Sequence, residues 1–86
     1  MSIQSGVMDI IYRKKLGEQE ILKLLAENIK ARRAFLGMSQ ESLASLSEID
    51  RTYISQIERG LANPSITVLI SISVALGYSL TDLITL

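Results

Sequence analysis

The sequence predicts an all-α fold: one compact domain of five helices over residues 20–86, preceded by a short arm or helix at residues 1–19. Three observations carry this. The 86 residues hold only one proline and five glycines, so little interrupts helix formation. The apolar residues recur at three- and four-residue spacings, the period of one helix face. No alternating run long enough to make a strand is present, and no internal repeat.

The first core helix is expected over residues 20–36, with Ile21, Leu24, Leu25, Ile29 and Phe35 on its apolar side. Gly37 ends it, because glycine tolerates the left-handed conformation that follows a helix. Ser39 is placed to cap a second helix, with Gln40, Glu41 and Ser42 as its first turn and Leu43, Ala44 and Leu46 as its apolar side. Ser47, Glu48 and Ile49 make a short break. Asp50 then caps a third helix over 51–59, which Gly60 ends. Beyond the loop at 60–64, Ser65 caps a fourth helix running to Leu76 and Gly77. Ile66, Leu69, Ile70, Ile72, Val74 and Leu76 are expected in its core face. Ser79 caps a last short helix over 80–84.

Composition removes several classes of function. With 48% hydrophobic and 21% charged residues, the chain can bury a core. It has no cysteine and no histidine, which leaves no disulfide, no zinc site of the usual ligand type, no thiol nucleophile and no imidazole acid or base. The remaining Ser, Asp, Glu and Lys stand at capping, turn and surface positions without a catalytic grouping, so an enzyme is not expected. No metal and no cofactor are expected. The apolar run at 7–12 is too short for a signal peptide and its basic residues follow it. No stretch approaches the ~20 apolar residues that span a bilayer. A soluble cytoplasmic protein with no membrane partner is the expectation.

On a helical wheel, Arg51, Ser55, Arg59, Thr52 and Gln56 share one side of the third helix, while Ile54 and Ile57 lie opposite. A solvated face is usually rich in Glu and Lys. This one offers arginine, hydroxyls and an amide, which suit base edges and phosphates. The preceding helix, the tight turn and the small Ala44 allow two helices to cross closely, as a recognition helix requires.

The residues that carry this pattern, "LGMSQESLA", "DRTYISQIERG", "NPSITVL" and "ALGYSL", resemble the phage repressor and Cro type of helix-turn-helix domain, the XRE family. The stretch "DRTYISQIERG" is particularly similar to controller proteins of restriction-modification systems. The resemblance is dense from Leu36 to Gly77 and extends back through "LAENIKARR". It implies a lambda-repressor-like fold, a transcriptional regulator, double-stranded DNA as the partner, and a homodimer on a near-palindromic operator. It also implies roles. Arg51, Thr52 and Gln56, with Tyr53 and Ser55 beside them, match base-reading positions. Ser39, Gln40 and Arg59, and less directly Asn63, match phosphate positions. Arg33 and Glu58 match a salt bridge tying the first helix to the recognition helix.

Two features depart from the pattern. Glu48 occupies a turn position usually held by glycine, which is strained at positive φ. The motif is also acidic, with Glu41, Glu48, Asp50 and Glu58 against two arginines over 39–60. Phosphate attraction must then draw on Lys30, Arg32, Arg33 or on Arg13, Lys14 and Lys15, a cluster as readily explained by plain solvation. The zero net charge leaves open whether the basic side chains collect on one face.

The apolar Leu80, Leu83, Ile84 and Leu86 should be covered by something. The family implies a two-fold partner, through the fourth and fifth helices; the other reading has Leu80 and Leu83 closing the monomer core. A protein-interaction module, such as an antitoxin carrying the same motif, is the second functional reading.

Overall fold

The computed structural model describes residues 16–86. Within them four α-helices and a C-terminal 3₁₀ helix enclose one core, and no strand is present. The all-α expectation holds. The Arg13 to Lys15 cluster lies outside the described residues.

Helix α1 spans Glu18–Leu36. Its first turn is closed by Gly17 N–H donating to Glu20 Oε1 at 2.9 Å, and the acids Glu18 and Glu20 complement the helix dipole there. Gly37, at φ 65°, ends the helix, and Met38 N–H returns to the Arg33 carbonyl at 2.9 Å, satisfying an otherwise open acceptor. The buried stripe is Leu22, Leu25, Ala26 and Ile29. It is therefore rotated from the expected one: Ile21 and Leu24 are half-buried and Phe35 is exposed. Phe35 lies well around the helix from Ile29, under the guanidinium of Arg32, 5.2 Å from the ring centre.

Helix α2, Gln40–Ser47, starts where Ser39 Oγ accepts Ser42 N–H at 3.0 Å. Leu43 and Ala44 are buried, but Leu46, expected on the apolar side, is exposed. The turn that follows places Glu48 in the left-handed region, φ 58° and ψ 39°. It is the one non-glycine residue with positive φ among those described. Helix α3, Arg51–Glu58, is capped by Asp50, whose carboxylate accepts Thr52 N–H at 3.0 Å. It ends one residue earlier than expected, with Arg59 as cap and Gly60 at φ 72°.

Helix α4, Ile66–Leu76, is capped by Ser65 and closed by Gly77. Only part of its apolar sequence enters the core. Ile72 and Leu76 are buried and Leu69 half-buried, whereas Ile66, Ile70 and Val74 are 61%, 46% and 72% exposed. These three lie at i, i+4 and i+8, a single stripe on the outer face. The expectation that they are core is corrected: in a helix apolar on every side, the small core of one domain can cover only one face.

The last element, Leu80–Ile84, is a 3₁₀ helix, tightened by the i→i+3 bond from Asp82 N–H to Ser79 O at 3.1 Å. Such short 3₁₀ segments are common at chain ends and as connectors. Asn28 of α1 donates to the carbonyls of Leu83 (2.8 Å) and Thr85 (2.7 Å), fastening this end to the bundle. Leu83 is fully buried in the core cluster that also holds Leu25, Ile29, Ile72 and Leu76. It closes the monomer core, so it is removed from the expected dimer interface, and Leu80 and Ile84 are half-buried beside it. No helix of the described residues is long and apolar enough to cross a membrane.

Candidate nucleic-acid interface

Helix α3 has the two faces that its wheel predicts. Ile54 and Ile57 sit in the core at 1% exposure each, fixing the helix against α1 and α2. Arg51, Thr52, Gln56 and Arg59 are exposed and Ser55 half-buried beside them, so one surface gathers guanidinium, hydroxyl and amide groups. Tyr53 differs from the expectation that it stands with the base readers. Its ring is half-buried and packs on the core cluster, which leaves it at the edge of that surface.

The inner end of α3 is fastened by charge. Arg33 donates to Glu58 through Nε (2.6 Å to Oε2) and Nη2 (2.7 Å to Oε1), a bidentate pair with Glu58 only 3% exposed. Arg33 Nη1 also donates to the Met38 carbonyl at 2.9 Å. The hydrogen bonds that Arg33 donates to the Glu58 carboxylate raise its pKa above the ordinary value, its own burial opposing this more weakly. The charge on Arg33 is therefore permanent, and it is spent internally.

Gln40 extends this link to the surface. Its Nε2 donates to Glu58 Oε1 at 3.0 Å, and its Oε1 accepts from Arg51 Nη1 at 3.5 Å. A carboxylate only accepts, so Glu58 dictates which way the Gln40 amide is turned. Ser39 and Gln40 thus stand at the start of α2 next to Arg51, although the Ser39 hydroxyl is engaged with Ser42. Asn63 stands apart from this group: its side chain meets Glu18 Oε2 of α1 at 3.5 Å, an acidic neighbour unsuited to phosphate.

Two residues fasten the C-terminal elements in ways the sequence does not reveal, and Arg32 in particular is not the free cation expected for phosphate. Asn28 anchors the C-terminal turn, and Arg32 donates to the Leu76 carbonyl at 2.9 Å while stacking 4.4 Å over Tyr78. An asparagine inside a helix, where it is a poor former, was the available signal for Asn28.

A profile of the helix-turn-helix family HTH_3 matches residues 29–83. Control protein C.SmaI of Serratia marcescens is 39% identical over 66 residues, 77% of this chain and 79% of that protein. The crystal structure of the restriction-modification controller protein C.AhdI from Aeromonas hydrophila superposes with a TM-score of 0.70 at 34% identity, covering 72% of this chain and 94% of that one. The hypothetical transcription factor NHTF from Neisseria does so with a TM-score of 0.74 at 35% identity, covering 80% and 79%. Motif, fold and relatives agree: the chain belongs to the HTH_3 helix-turn-helix family of XRE type and is a DNA-binding transcriptional regulator.

Proposed function

We propose that the chain is a homodimeric regulator that reads a near-palindromic operator through α3, and that the operon it controls encodes a restriction-modification system. The observation that carries this reading is the outer surface of α3. Arg51, Thr52 and Gln56 are exposed together on a helix whose opposite side is immobilised in the core. Arg51 suits guanine O6 and N7, Thr52 a thymine methyl, and Gln56 adenine N6 and N7. Ser55 stands between them, and Tyr53 borders them. Ser39, Gln40 and Arg59 frame this surface at the two ends where a groove brings its phosphates, and Asn63, turned to Glu18, is left out of that frame.

One such surface covers only a half-site, so a two-fold partner is required, with half-sites ~34 Å apart. The stripe of Ile66, Ile70 and Val74 is the surface we assign to that partner, with the exposed Leu46 nearby. It replaces Leu83 in the interface and leaves Leu80 and Ile84 at its margin. The likeness to C.SmaI and C.AhdI, which are named as control proteins, supports the controller reading.

Selection of duplexes from a random library tests the proposal. Enrichment of an inverted repeat spaced by about one helical turn, found upstream of adjoining methyltransferase and endonuclease genes, is the expected result. No enriched sequence, or an unrepeated half-site bound by a monomer, overturns it.

A further inference from the structure

We infer that the groove between α1 and the end of α3 is a second contact for DNA phosphates, in which Lys23, Lys30 and Arg59 hold backbone beyond the bases read by α3. This rests on the proposed reading of α3 as the DNA-facing helix.

The charge distribution is the starting point. The motif exposes Glu41, Glu48 and Asp50, which repel phosphate. Of the six cations among the described residues, Arg33 is paired with Glu58, and Arg32 is bound to the Leu76 carbonyl and stacked between Phe35 and Tyr78. The others are Lys23, Lys30, Arg51 and Arg59, all exposed. Three of these four line one open groove of about 550 Å³. The acids at its wall are Glu58, already neutralised by Arg33, and Glu27. The groove therefore carries a local excess of positive charge in a chain with zero net charge.

Position links this groove to the reading surface. Arg59 belongs to both, capping α3 two turns after Arg51 and one turn after Ser55 on the same side, and lining the groove. Lys23 and Lys30 are seven residues apart on α1, which spaces them by ~10 Å along the helix. That matches about three base-pair steps of 3.4 Å. The shape favours a duplex backbone over a small free anion. The groove is open, and no buried side-chain polar atom among the described residues lacks a partner with which to coordinate an enclosed ion.

Titration of the full chain against a long random-sequence duplex tests this without knowledge of the operator. The Lys23→Gln/Lys30→Gln variant should bind severalfold more weakly at low salt. Its slope of log K against log salt should be shallower by about 2 per protomer, close to 0.9 for each phosphate no longer neutralised. Glu27→Gln should bind about threefold more tightly, an effect that erodes as salt screens it. An unchanged slope together with unchanged affinity for Glu27→Gln overturns the inference. So does competition by inorganic phosphate at constant ionic strength against wild type alone, which would mark a small-anion site. On the selected operator, an Arg51→Ala variant that binds as wild type sinks the reading of α3 instead, while leaving the salt-slope comparison on random DNA intact. All three positions are exposed, and thermal melting by circular dichroism verifies that the variants fold.

Discussion

The guanidinium of Arg33 and the carboxylate of Glu58 meet in two near-parallel hydrogen bonds of 2.6 and 2.7 Å, joining residues 25 apart in sequence and fixing the angle of α3 to α1. Such a pair gains little net energy over apolar packing, but removing one partner leaves a desolvated charge. Glu58→Ala should destabilise the fold by about 3 kcal/mol, read by urea denaturation. Arg33→Met/Glu58→Leu should recover most of that loss. Equal stability of the single and double variants would contradict the strandedness of Arg33. The sign of its pKa shift sets the pH behaviour. A raised arginine pKa gives stability that is complete below the ordinary arginine range and lost only above it. The wild-type to Arg33→Met difference should then stay flat from about pH 7 to about pH 10.

Two arginines on the same side of α3 should respond differently. Arg51→Ala should cost ~1–3 kcal/mol on the operator and relax preference at one base pair per half-site. Arg59→Ala should weaken binding to all sequences and flatten the salt slope by about 1 per protomer. Anisotropy titrations with single-base operator variants distinguish these outcomes, and an identical profile for both would remove the division of roles.

Glu48 holds a left-handed conformation at φ 58° without the freedom of glycine. Glu48→Gly should stabilise the protein by about 1 kcal/mol, which raises Tm by roughly 4–8 °C for a domain of this size. It also removes an acid from the motif, so affinity for DNA at low salt should rise. A lower Tm would mean that Glu48 makes compensating contacts in solution.

The stripe of Ile66, Ile70 and Val74 gives a direct test of association. Ile70→Glu or Val74→Glu should yield a folded monomer by sedimentation, since both side chains are exposed in one chain and a charge is excluded from an apolar interface. Thr81→Glu, on the exposed side of the 3₁₀ helix, should leave association unchanged. A monomeric wild type at high protein concentration would defeat the assignment.

What could be read from the sequence follows the range of each interaction. Ser39, Asp50, Ser65, Gly37 and Gly77 act within a few residues of where they stand, and each caps or ends the helix expected of it. The polar front of α3 was legible for the same reason, being one turn-by-turn pattern. Burial was less so, because an apolar residue signals that it needs covering without saying by what. Ile66, Ile70 and Val74 read as core from their apolar character and are exposed, whereas of the two readings open for Leu83, a partner contact or closure of the monomer core, the fold takes the second. The bonds from Asn28 to Leu83 and Thr85 span more than fifty residues, and no local pattern encodes them.

The chain Arg33, Glu58, Gln40, Arg51 sets up the last expectation. Glu58 forces the Gln40 amide to present its Nε2 inward, so Oε1 is left facing Arg51 Nη1. Under the proposed reading of α3, that contact would orient the Arg51 guanidinium before any base is met and leave its other N–H groups for guanine. Gln40→Ala should then cost more on the operator than on random DNA, because removing a bond to phosphate weakens both alike whereas a misaimed arginine weakens only the first. Gln40→Glu should be worse, by placing a second carboxylate against Glu58. In a double-mutant cycle, Gln40→Ala and Arg51→Ala should be non-additive by at least ~0.5 kcal/mol on the operator. Additive losses would mean that the two side chains act on DNA independently, and that the fastening of α3 by Arg33 stops at Glu58.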